Sequence, residues 1–117
     1  MENAFPGSSN DTPDPQADWE ITPDGLYIAT RHFLLRRGYC CANRCRNCPY
    51  INWHANPAWQ HAPASAVRRI SVSRKTLAGV RAAITYHEQA LTTCAENEQT
   101  YHQEMLAHYT LLLERWH

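Results

Sequence analysis

Four of the five cysteines in this 117-residue chain, Cys40, Cys41, Cys45 and Cys48, fall within nine residues, in RGYCCANRCRNCPY (residues 37–50). Sulfurs so close in sequence are poor candidates for two relaxed disulfides. In a reducing compartment, clustered Cys more often means metal than disulfide. Thiolates are soft, negatively charged ligands, and four of them suit zinc or an iron–sulfur cluster. Short loops let one turn of backbone aim several sulfurs inward at small entropic cost. Arg36, Arg37, Arg44 and Arg46 surround the box, where positive charge lowers thiol pKa values and offsets a tetrathiolate.

Cys41-x3-Cys45 and Cys45-x2-Cys48 both have spacings common in structural zinc sites, so Zn2+ is the first expectation. Adjacent residues of an extended segment point opposite ways, which makes Cys40 the awkward fourth ligand and His54 or His61 its substitutes. A [4Fe–4S] cluster is larger, so tandem Cys reach two of its corners more easily, and it is the alternative cofactor. A metal-free redox thiol cluster is the third reading. The same three-Cys spacing occurs in radical S-adenosylmethionine enzymes, but their barrel is far longer than this chain.

Around the box the chain divides into three parts. Residues 1–18 hold three Pro and almost nothing apolar, an expected disordered acidic tail. Residues 19–66 form the expected Cys-rich metal-binding module with its connector. WEIT and LYIAT flank Pro23-Asp24-Gly25, a turn that predicts a β-hairpin. Thr30 as N-cap and Gly38 just past the end bracket RHFLLRR as a two-turn helix. Residues 51–66, with two Pro and no charge, read as an irregular connector. Residues 67–117 form the third part. Leu77, Val80, Ile84, His87, Leu91 and Cys94 recur at helical steps, and Thr93 to Glu96 has capping-box spacing for a second helix. Its apolar positions are Tyr101, Met105 and Leu112, with His102, Leu106, Tyr109, Leu113 and Trp116. A two-helix hairpin is expected there, with one long, self-associating helix as the alternative. The fold class is therefore α+β, mostly α: hairpin, short helix, Cys knuckle and C-terminal helical hairpin.

Lys plus Arg equals Asp plus Glu at 11 each, so the overall charge is silent about partners. Its distribution is not. From Arg31 to Arg81 there are ten basic residues and no acidic one, while five acids follow from Glu88 onward against Arg115 alone. Arginines interleaved with aromatics suit RNA or single-stranded DNA, which makes Arg36, Arg37, Arg44, Arg46, Tyr50 and Trp53 candidate contacts. The competing reading pairs these charges with the thiolates, the helix ends and the acidic tail. Pairs such as His87/Glu88, Glu98/His102 and Glu104/His108 lack the usual spacing of a helical metal site and read as satisfied or solvated faces.

The segment DGLYIATRHFLLRRGYCCANRCRNCPY resembles a small uncharacterised family, domain of unknown function 5522. That family's box lands on Arg37, Gly38, Cys40, Cys41, Cys45, Arg46, Cys48, Pro49 and Tyr50. The likeness covers roughly residues 19–50. Members often carry His where Asn47 and Leu34 stand here, so the four Cys remain the expected ligands. The family has no established activity, and the resemblance implies a metal-binding module and nothing catalytic. The expected protein is a small, non-catalytic, metal-binding adaptor with a protein partner. The alternatives are a metal-dependent nucleic-acid binder and a redox or cluster-carrying accessory protein. No apolar run long enough for a transmembrane helix and no signal-peptide pattern is present, so a cytoplasmic location is expected. The C-terminal helices are candidates for a homodimer contact.

Overall fold

The computed structural model describes residues 17–117. The expected acidic tail lies outside the described residues, apart from Ala17 and Asp18. The chain begins with an antiparallel pair, β1 (Trp19–Ile21) and β2 (Tyr27–Ala29), in the register Trp19↔Ala29 and Ile21↔Tyr27. The turn closes as its residues dictate. Gly25 takes φ +88° and donates its N–H to the Thr22 carbonyl, while Thr22 Oγ1 accepts the Leu26 N–H at 3.0 Å.

Helix α1 (Arg31–Arg37) starts at Thr30, whose Oγ1 accepts the Phe33 N–H at 3.2 Å. It ends at Gly38, in the left-handed conformation at φ +85°. Gly38 meets a second requirement. A Cβ there would lie 2.3 Å from Cγ of Arg68, whose backbone N–H bonds the Gly38 carbonyl.

After the Cys box the connector is irregular until a 3-10 turn at Ala64–Ala66. Helix α2 (Arg74–Thr93) is capped by Ser73 Oγ, which accepts the Thr76 N–H. Helix α3 (Gln99–Arg115) returns along it. The chain thus forms a helical hairpin and not one long helix. The break differs from the capping-box expectation. Thr93 completes α2 and Cys94 turns extended at ψ 160°, so α3 starts only after a 3-10 turn at Glu96–Glu98. A residue still inside one helix cannot take the extended backbone that an N-cap needs. The chain end is tied down by a parallel bridge between Ile70 and Trp116, and Arg115 donates to the Ala64 and Val67 carbonyls.

One apolar core joins both halves. Cys40, Cys48 and Tyr50 from the box and Ile51 from the connector meet Val80 of α2 and Met105, Tyr109, Leu112 and Trp116 from α3 and its end. Tyr50 is its centre. The ring meets Trp116 edge-on at 5.5 Å, and its hydroxyl donates to the Leu34 carbonyl at 2.8 Å, with the Leu35 and Ala66 carbonyls within 3.3 Å. Burial pushes its pKa up to about 12. His108, read from sequence only as half of a weak Glu-His pair, is buried too, with Nε2 2.8 Å from the Tyr50 carbonyl.

Two stability predictions follow from this core. Tyr50→Phe leaves the Leu34 carbonyl with only the 3.4 Å bond from the Gly38 N–H and should cost about 1–3 kcal/mol in urea denaturation; Tyr50→Ala should cost about 3–5 kcal/mol. Burial holds the His108 pKa down at about 4, below the 6.5 of an exposed His. The unfolded chain therefore binds the extra proton first. His108 stabilises the fold fully above pH 6.5, and this contribution should fall away progressively between pH 6.5 and 4. His108→Gln should flatten that part of the stability curve.

Candidate metal centre

The box is shaped by an unusual stretch of backbone. Ala42 (φ 65°) and Arg44 (φ 54°) both adopt the left-handed conformation that non-glycine residues rarely take. The loop folds back, and the Cys48 N–H closes it on the Cys45 carbonyl at 3.3 Å. Such strain persists only where the surroundings hold it. Three side chains from outside the box do so. Thr76 Oγ1, at the start of α2, donates to the Cys40 carbonyl at 3.0 Å; Trp59 Nε1 donates to the Cys48 carbonyl at 2.7 Å; and His108 holds the Tyr50 carbonyl.

The four sulfurs form two close pairs. Cys40 Sγ lies 3.7 Å from Cys48 Sγ, and Cys41 Sγ lies 3.8 Å from Cys45 Sγ. All five Cys are free thiols. The tandem cysteines do point apart, each joining a different partner. Cys40 and Cys48 are buried in the core, whereas Cys41 and Cys45 are half-buried. Among the described residues no three His, Cys, Asp or Glu side chains converge as a ligand set, so the two pairs remain separate.

Cys40 is arranged to carry charge. The hydrogen bond from Cys48 brings its pKa down to about 6 against the opposing effect of burial, aided by the Ala42 N–H at 3.4 Å, the Trp53 indole N–H and the Arg37 charge. Cys48 is pushed up, first by giving that hydrogen bond and then by burial. Burial, reinforced by the neighbouring Cys41, raises Cys45. Two donors beside Cys40, Arg37 Nη2 and Trp53 Nε1, are buried without a conventional hydrogen-bond partner. The Arg37 charge lowers Cys40 and opposes the rise at Cys45, and a cation near thiols favours the thiolates that metal binding requires. The donor chemistry of the box therefore fits a soft divalent cation.

The substitute ligands are engaged elsewhere. His54 Nε2 sits 2.9 Å from the Arg44 carbonyl. His61 lies between the Ala62 carbonyl and Glu104, stacked on His108 at 4.6 Å. Cys94 caps α2, against the Leu91 carbonyl of its own helix.

The arginines are spent largely on the protein's own groups. Arg31 donates to the Gln60 and His61 carbonyls, Arg36 pairs with Asp18, Arg37 donates to the Tyr39 carbonyl, and Arg44 lies over the Trp53 ring and near its carbonyl. Arg46 has no ion pair among the described residues and lines a small polar cavity with Arg31 and Trp59. Tyr50, a candidate base-stacking residue by sequence, is enclosed and has no face to offer a base.

Thr76, Trp59 and His108 were not legible as box residues. Each belongs to an element distant in sequence, and nothing local to any of the three points to the box.

Residues 10–55 match the model of a family of unknown function, DUF5522. The match takes in the hairpin, α1 and the whole box, and stops in the connector, so the helical hairpin lies beyond it. No curated protein and no solved structure matches the chain. No helix of the described residues is long and apolar enough to cross a membrane.

Exposure orders the thiols by reactivity. Iodoacetamide at neutral pH, with metal removed by chelation, should label Cys41 and Cys45 well before Cys48. Peptide mass mapping checks the order, and equal labelling of Cys48 would mean that its burial is not held in solution.

Proposed function

We propose that the box is a structural zinc knuckle and that the protein is a non-catalytic interaction module. The observation that carries this reading is the sulfur spacing. A zinc ion with Zn–S bonds of about 2.3 Å places tetrahedral corners about 3.8 Å apart, and the two thiol pairs stand at 3.7 and 3.8 Å. Cys40, Cys41, Cys45 and Cys48 would hold the ion, which draws the two pairs together and neutralises their mutual repulsion. Ligands of a [4Fe–4S] cluster bind different irons and stand farther apart, so the spacing favours a single ion over that cluster.

The role supplied by the ion is structural. It clamps a loop that already carries two left-handed residues, and it keeps Cys40 and Cys48 seated in the core that both halves share. Nucleic-acid binding is the weaker reading, because most guanidinium groups near the box already serve carbonyls, an aromatic face or Asp18.

Elemental analysis of protein purified without air tests this directly. The expected result is one zinc per chain and no visible absorbance. Cys45→Ser should lose the metal and lower the melting temperature, while Cys94→Ser should keep both. Iron with inorganic sulfide would replace the zinc reading with the cluster reading, and equal metal in both variants would remove the box from the site. A steep loss of RNA affinity with added salt would restore the nucleic-acid alternative.

A further inference from the structure

A second cavity lies between the connector and the helical hairpin, and shares Trp53 with the surroundings of Cys40. It encloses about 520 Å³, within the range of small-molecule sites. Its walls are aromatic: Trp53 from the connector, Tyr86 and His87 from α2, and Tyr101 and Tyr109 from α3. Ala82 and Ala83 of α2 leave the space between them unfilled. No Lys, Arg, Asp or Glu lines it.

The walls are held in place before anything enters. The Trp53 ring carries the Arg44 guanidinium 5.6 Å from its centroid, and its far edge sits in a notch on α2. A Cβ on Gly79 would come within 2.5 Å of Trp53 Cη2, so only glycine allows that approach. Tyr109 is stacked with His87 at 5.9 Å, and its hydroxyl accepts the Asn52 N–H. His87 is 6% exposed and its Nδ1 lies 2.8 Å from His102 Nδ1, which leaves Nε2 without a partner among the described residues. Asn52 and Asn56 satisfy each other. Tyr86 and Tyr101, 62% and 44% exposed, form a rim of aromatic surface held against the His pair and not in the core.

We propose that this cavity binds an uncharged planar aromatic molecule of two or three fused rings, stacked on the aromatic walls and bonded through one polar edge to His87 Nε2. The absence of ionised lining residues selects against a charged ligand, because a buried ion there would have no counter-ion. Rigid walls reduce the ordering cost of binding.

The test uses the full-length protein and the neutral probe N-phenyl-1-naphthylamine, whose fluorescence rises in an apolar site. The expected result is saturable binding at one probe per chain. Ala82→Phe fills the cavity from an exposed helical position and should weaken binding about tenfold or more. Tyr86→Ala, at the rim, should weaken it as well, while Ala107→Phe, exposed on α3 away from the cavity, should not. The sulfonated analogue 8-anilinonaphthalene-1-sulfonate should bind about tenfold more weakly than the neutral probe. Unchanged affinity in Ala82→Phe would put the probe elsewhere, for instance on the exposed hairpin face of Trp19 and Tyr27, and would overturn the proposal. Absence of saturable binding, or equal affinity for the sulfonate, would also overturn it. Elemental analysis of the same samples separates the two readings: no probe binding by the unsubstituted protein, with metal content unchanged, overturns this one alone.

Discussion

The fold depends on one buried phenol. A short helix leaves its last carbonyls without intrahelical partners, and α1 is only seven residues long. Tyr50 supplies a donor to that end from the far side of the Cys box, while its ring enters the core shared with α3. Through one residue the helix end, the box, the 3-10 turn at Ala64–Ala66 and Trp116 become neighbours. Burying a hydroxyl is costly unless it is bonded, so this contact specifies one arrangement against all others that would leave it unpaired.

The same logic governs the box itself. Its carbonyls are held by side chains that belong to other elements, Thr76 from α2, Trp59 from the connector and His108 from α3. The helical hairpin is therefore part of the site's frame. It fixes where the thiols stand, and the thiols in turn fill the core that the hairpin needs. A ligand bound at the sulfurs would act on a loop already bent and braced, which favours a structural role over one that requires large motion.

Local chemistry was legible wherever it was decided within a few residues. Thr30 and Gly38 marked both ends of α1, and Pro23-Asp24-Gly25 marked the hairpin turn. Failures came where the deciding contact was distant. The Thr93–Glu96 spacing suggested a helix start that α2 overrode by extending through Thr93. Tyr50 and the arginines looked like a recognition surface because sequence shows residue type and charge but not which carbonyl a guanidinium reaches. His87 and His102 stood on the apolar stripes of their helices and are buried, whereas His108 was read only as half of a Glu-His pair on a satisfied or solvated face, yet it is buried too. A neutral imidazole can pack as a ring when a partner meets its nitrogens, and those partners lie up to 58 positions away.

By itself the sequence determined the four thiols, their spacing, the cap residues and the helical period, because each is a matter of residue type and nearest-neighbour sterics. Only the tertiary structure decided how the thiols pair, Cys40 with Cys48 and Cys41 with Cys45, and that the first pair is sealed in a core built with α3. It alone decided that a cavity opens beside Trp53 where Gly79 lets the indole meet α2. The physical reason is common to both. Burial is a property of what lies on the other side, and here the other side is supplied by helices some thirty to sixty residues further along the chain.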